Sequence, residues 1–166
     1  MKHQEKKFLV NSFDGIKNKL EEMGADKADE VISIHYYAQA NGNDVVKAVE
    51  YNDHCEIHIL KESDGKFILT ERIPIKSVAE GLQWLRDKGY KFYTVVKMQY
   101  GDYDFRDGRV GLYIINDFLL SVILDFPTNQ HAAMEKLFGL NTAEQIVIPY
   151  NKQLEQLGKL ELKPLL

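Results

Sequence analysis

The sequence predicts one α+β domain built on an antiparallel sheet, and three observations predict it. Hairpin turns cluster along the chain, at Ser63-Asp64-Gly65, Asp107-Gly108 and Asn116-Asp117. Amphipathic helices precede runs of several strands instead of alternating with single ones, which excludes a regular βαβ order. The composition, 45% hydrophobic and 28% charged over 166 residues, is enough for one buried core and excludes disorder, a collagen-like repeat or a pure coiled coil.

The elements follow in order. His3 to Val10 runs into Asn11-Ser12, which suits a strand followed by a helix cap. Phe13, Ile16, Leu20 and Met23 recur at three- and four-residue steps, giving a short amphipathic helix that Gly24 stops. Glu30 to Gln39 is rich in Val, Ile and Tyr and ends before Asn41-Gly42, so it is a strand; Val45 to His54 is weakly strand-like. Cys55 to Glu62 and Lys66 to Ile73 alternate on either side of Ser63-Asp64-Gly65, the clearest hairpin. Ser77 and Glu80 make a capping-box pair for a helix that buries Val78, Leu82 and Leu85 and closes at Lys88-Gly89. Tyr90 to Tyr100, Arg109 to Ile115 and Phe118 to Phe126 have strand composition. Helical pieces about Asn129 to Phe138 and from Pro149 to Gly158 finish the chain. Leu20-x-x-x-Gly24 recurs as Leu85-x-x-x-Gly89, which suggests two repeated halves, about 1–75 and 76–166, although any two amphipathic helices before strands look alike.

With 21 Lys and Arg against 25 Asp and Glu, the net charge of -4 provides no bulk attraction for nucleic acid or an acidic membrane surface. The N-terminal segment has no apolar run of signal-peptide length, and Tyr113 to Phe126 is broken by Asn116, Asp117, Ser121 and Asp125, so no membrane segment is expected. The single cysteine, Cys55, cannot form an intrachain disulfide, which fits a reducing cytoplasm.

Side chains alternate across a strand, so charges at every second position mark one polar face. This groups His3 with Glu5 and Lys7, Glu56 with His58, Thr70 with Arg72, Lys97 with Gln99, and Ser121 with Asp125. Cys55, Ile57 and Ile59, and Phe118, Leu120, Val122 and Leu124, take the opposite faces. Two architectures satisfy this pattern. One is a sheet with a solvated side and a side against helices. The other is a closed or nearly closed antiparallel barrel whose charged lining holds an anion and a cation, because desolvated charges need partners.

His3-x-Glu5-x-Lys7 before Phe8-Leu9-Val10, a helix ending in Gly24, and Tyr36-Tyr37 on the next strand resemble the opening of the CYTH superfamily, named for class IV adenylate cyclases and thiamine triphosphatases. Thr70-Glu71-Arg72-Ile73-Pro74 resembles its Thr-x-Lys-x-Pro strand end. Lys97-Met98-Gln99 stands for Lys-x-Arg, Ile123-Leu124-Asp125 for a late Glu-x-Glu, and the helix near Pro149-Tyr150 for the closing helix. The motif order spans nearly the whole chain. It departs where the family carries acids or arginines: His3 replaces the first Glu, Ile34 an acid, Glu56-x-His58 an Arg-x-Arg, Gln99 an arginine, and an acid expected before Asp117 falls among Tyr113 to Ile115.

The resemblance implies an α+β tunnel, an antiparallel eight-stranded closed or nearly closed barrel with helices packed outside, that binds a triphosphate compound or nucleotide with Mg²⁺ or Mn²⁺. It implies Lys7, Arg72 and Lys97 on phosphate, Glu5 and Asp125 on the cation, Glu5 and Lys7 in catalysis, and His3, Glu56, His58 and Gln99 in the lining. The activity implied is a metal-dependent triphosphatase or adenylate cyclase; the alternative is a catalytically degenerate ligand-binding or protein-interaction module on the same scaffold. Glu56 and His58 in place of two arginines make the lining more negative and weaken triphosphate attraction.

Other signals are weak. Asp102, Asp104 and Asp107 before Gly108 faintly resemble a calcium loop, but Arg106 and Tyr113 break its spacing, so a polar hairpin is expected. His54, Cys55 and His58 suggest zinc only faintly, since the histidines would be about 13 Å apart on an extended strand. Cys55 has no identifiable base. Tyr36, Tyr37, Tyr100 and Tyr103 suit either base stacking or packing in the sheet.

Overall fold

The computed structural model describes residues 2–64 and 66–166. In chain order the elements are β1 (His3–Val10), α1 (Asp14–Glu22), β2 (Asp26–Lys27), β3 (Val31–Ala38), β4 (Val45–Glu50), β5 (Cys55–Ser63), β6 (Lys66–Ile75), α2 (Val78–Asp87), β7 (Phe92–Phe105), β8 (Gly108–Ile115), β9 (Leu119–Pro127), α3 (His131–Leu137), β10 (Glu144–Ile146), α4 (Tyr150–Gln156) and β11 (Lys163–Pro164). The α+β class and the antiparallel pairing are as expected. Eight long strands carry the sheet and three short ones attach to it. The strand order runs β10-β1-β9-β8-β7-β3-β4-β5-β6, and among the described residues no ladder joins its two ends, so closure is incomplete.

Contacts divide the chain into two compact units, residues 1–31 with 99–147 and residues 32–98 with 148–166. In the first unit, β1 pairs with β9 and β10, and β8 pairs with β9. One face of these strands is apolar because Phe8 lies opposite Val122, and Val122 opposite Leu112, while Leu124 lies opposite Val110. Ile16 and Leu20 of α1 and Met134 of α3 pack in the same core, with Phe138 edge-on to Phe105. Ser12 Oγ accepts from the Asp14 amide at the start of α1, and Gly24 ends the helix region at φ 70°.

In the second unit the ladders β3-β4-β5-β6 also have one apolar face, on which Tyr36 lies opposite Ala48, Ala48 opposite Ile57 and Ile57 opposite Ile73. Helix α2 packs there so closely that a Cβ on Gly81 would stand 2.8 Å from the Ala48 Cβ and from Ile75. Ser77 Oγ accepts from the Glu80 amide, as the capping pair predicts.

Several boundaries differ from the sequence reading. The strand expected to end at Tyr100 continues to Phe105, and the turn that follows uses Arg106 (φ 53°) and Asp107, with Gly108 already on β8. The weak segment Val45 to His54 forms a strand only to Glu50, after which the Tyr51 amide bonds the His54 carbonyl. Gly65 of the expected hairpin lies outside the described residues; Asp64 beside it has φ 52°.

Candidate functional site

In the first unit the face opposite the core carries the charges. Glu5 is the cross-strand partner of Asp125, and Asp125 is the partner of Arg109 on β8. His3 Nδ1 lies 3.1 Å from Asp125 Oδ1. Lys7 follows two residues along the same face, opposite Ile123 on β9 and Ile146 on β10. Burial pushes the Lys7 ammonium down to about 8, and Glu5 offsets part of that fall. Alternation assigns Lys6 to the other face, where it reaches Glu135 at 3.2 Å. Ser121 and Tyr113 are partners on the polar face, and Tyr113 stacks on Tyr100 with ring centroids 4.6 Å apart. Gln99 lines a small pocket with Phe13, Tyr103, Leu112 and Ile114, beside residues of the helix-covered side.

In the second unit a polar row crosses four strands, from Tyr37 on β3 through Lys47 on β4 and His58 on β5 to Arg72 on β6. Lys47 donates to the Tyr37 hydroxyl at 3.3 Å, with its Nζ 4.7 Å from the ring centroid. Glu56 stands two residues from His58 on the same face. Its carboxylate meets His58 Nε2 at 2.6 Å, Arg72 Nε at 3.2 Å and His54 Nε2 at 3.3 Å. Burial pushes Glu56 upward, and the hydrogen bond from His58 together with Arg72 and His54 outweighs it, so the carboxyl titrates below its ordinary value. Burial, with Lys47 and Arg72 adding to it, holds His58 low despite Glu56. His35 is held well below its ordinary value by burial, Lys47 and His58; its Nε2 pairs with Ser33 Oγ at 2.7 Å. Lys97 is half-buried on β7 between Val96 and Met98, both of which are buried.

His3, Glu5 and Asp125 are thus gathered in the first unit, with Lys7 one step along, and Glu56, His58 and Arg72 are gathered in the second. Arg109, Lys47 and His35 were missed by the sequence reading. Arg109 shares the parity of Gly111 and Tyr113, and Lys47 that of Val45 and Val49, so alternation would have found the first and hidden the second. On β3 the expected acid position, Ile34, is partnered by Glu50 off the polar row, whereas Ser33, His35 and Tyr37 share it. The histidines set aside as too distant for zinc do approach a common group, because His54 precedes β5 in a turn and only His58 is on the strand. Among the described residues, no group of three His, Cys, Asp or Glu side chains is arranged to hold a metal ion. Asp102, Asp104 and Asp107 belong to the β7–β8 hairpin, where Asp107 accepts from Gln130 at 2.9 Å.

No family model matches this chain, and no curated protein matches it. Solved structures do match. The PH1012 protein of Pyrococcus horikoshii OT3 superposes with a TM-score of 0.73 at 16% identity, covering 86% of this chain and 94% of that one. A putative adenylate cyclase of Vibrio parahaemolyticus gives 0.65 at 13% identity, covering 92% and 97%. The fold is shared with these structures. The Hippeastrum putative adenylyl cyclase HpAC1, which has a dominant triphosphatase activity, gives 0.61 at 12% identity over 97% and 98%. At the level of fold, these neighbours agree with the resemblance to the CYTH superfamily drawn from the motifs.

Proposed function

We propose that the protein binds a triphosphate compound together with a divalent cation and hydrolyses it. The observation that carries this reading is the half-buried Lys7, held down to about 8 beside Glu5 and the Glu5–Asp125 pair on a fold shared with adenylate cyclase and triphosphatase structures. A desolvated cation that an arriving anion would stabilise, with two adjacent carboxylates, suits a polyanion bound with a metal, because phosphoryl transfer depends on positioning and on neutralising the phosphate oxygens. Lys7, Arg72 and Lys97 contact phosphate in this reading. His3, Glu56 and His58 complete the lining.

Glu5 and Asp125 suit Mg²⁺ or Mn²⁺, because directly opposed residues have Cβ atoms about 4.5–5.5 Å apart. Mg²⁺ keeps waters and takes further oxygens from phosphate, so two carboxylates suffice. The cation would neutralise charge on the transferring phosphoryl group. Glu5 orients, Lys7 neutralises and positions, and His3 fixes the Asp125 carboxylate by its 3.1 Å contact.

The Glu56 contact with Arg72 favours the second reading, a binding module without turnover, because a phosphate-binding arginine is already engaged. Incubation with tripolyphosphate, thiamine triphosphate and ATP, each with Mg²⁺ or Mn²⁺, separates the two. Phosphate, pyrophosphate or cyclic AMP release that disappears in Glu5→Ala and Lys7→Ala variants is expected. Saturable binding without release would establish the module instead.

A further inference from the structure

The Glu56 carboxylate is surrounded like a bound anion. Both oxygens are engaged, Oε2 by His58 and Arg72 and Oε1 by His54, and His54 is itself held by Asp53 through Nδ1 at 2.6 Å. Its side chain is only 13% exposed, whereas that of Arg72 is 57% exposed and so reachable from solvent. The strands on either side of His58 each bring a cation to the same row, Lys47 from β4 and Arg72 from β6. Lys47 and Arg72 thus flank His58 from the two neighbouring strands, Lys47 directed to Tyr37 and Arg72 to Glu56.

We propose that Glu56, His58 and Arg72 form a proton-gated oligophosphate subsite, in which the Glu56 carboxylate takes the anion's place until a phosphate group displaces it with uptake of one proton from solvent. The inference rests on the triphosphate reading and specifies how part of that site works. Two anions cannot share Arg72 and His58 unless a proton neutralises one of them. The groups facing His58 are Glu56 on its own strand, Lys47 and Arg72 on the flanking strands, His54 and Tyr51 from the preceding turn, and His35 with Tyr37 across β4. Lys47 and burial keep the imidazole neutral in the ligand-free protein, and an arriving phosphate reverses the local field. The proton belongs to the coupled Glu56–His58 pair and not to either residue alone.

The consequence is a sign. Binding that takes up a proton weakens as pH rises, by up to about tenfold per pH unit above the range where the ligand-free pair titrates. The subsite therefore loses affinity for an oligophosphate at alkaline pH.

Calorimetry of the whole protein with sodium tripolyphosphate, between pH 6 and 8 in two buffers of different ionisation enthalpy, tests this. The wild type is expected to take up about one proton and to lose affinity as pH rises. Glu56→Gln is expected to reduce the uptake and tighten binding at pH 8 by about tenfold, and His58→Gln to reduce the uptake without the gain. Binding by the wild type with no buffer dependence, or a Glu56→Gln variant unchanged in both respects, overturns the subsite and leaves the triphosphate reading standing. Failure of folded wild type and folded Glu56→Gln to bind at any pH overturns both. Histidine NMR titration gives a ligand-free check: loss of the carboxylate should lower the apparent pKa of His54 and His58, and unchanged titrations also overturn the subsite.

Discussion

Lys7 is where the chemistry and the stability of the first unit are set against each other. Its ammonium falls from the ordinary lysine value of 10.5 to about 8, so at neutral pH the folded state carries a charge it disfavours. Between about pH 8 and 10.5 the unfolded state holds the proton that the folded state has released, so this group makes stability rise with pH across that window. Lys7→Met is therefore expected to raise the unfolding free energy at pH 7 by on the order of 1–3 kcal/mol, the advantage shrinking towards pH 10, in denaturant melts at both pH values. A variant less stable than wild type at pH 7 would contradict that account. The parity of Asp125 was legible because Val122, Leu124 and Phe126 mark the other face of its strand, whereas that of His3, Glu5 and Lys7 came from their own two-residue spacing, since Gln4 and Lys6 between them are polar. Lys47 was not legible, because Val45, Val46, Ala48 and Val49 surround it and Val45 to Val49 is buried on both faces, so no alternation marks its side.

Among the elements, the β8–β9 pair places Asp125, and Gly108 is what allows their approach. A Cβ there would stand 2.3 Å from the Asp125 carbonyl oxygen, a backbone atom that cannot rotate away. Gly108→Ala is expected to destabilise the protein by about 1–3 kcal/mol or more by overpacking, and to weaken any cation-dependent activity with it. Chemical melts and the release assay read the two effects; an alanine variant as stable as wild type would show that β8 does not approach as described. The helices were legible from their periodicity and caps, down to Ser77 with Glu80 and Gly89 at φ 95°. β2, β10 and β11 were not, since two or three residues carry no period. β7 was cut short at Tyr100 because Gly101 and Asp102 look like a turn in sequence. In the structure the strand runs straight through Gly101, and the Ala28 amide bonds the Asp102 carbonyl.

At the scale of the whole chain, the fold is shared at low sequence identity. Matches at 10–16% identity still cover 86–97% of the chain in the structures with TM-scores of 0.58 or more, so the backbone fold is what is shared across them. The motif order made the fold legible because apolar faces, turn residues and helix caps repeat the same physical demands. The charged groups were less legible, since Glu56 is held by Arg72 of the neighbouring strand as well as by His54 and His58 of its own segment, and spacing along one strand does not show a cross-strand partner. The most direct measurement is the thermal melt of the intact protein with tripolyphosphate and Mn²⁺. At a hundred times its dissociation constant the ligand should add about 2.7 kcal/mol, a rise of about 5–10 °C for a chain of this size, and the rise should collapse in Lys7→Ala and Arg72→Ala variants. No rise in the wild type at millimolar tripolyphosphate, or an equal rise in both folded variants, would contradict the account.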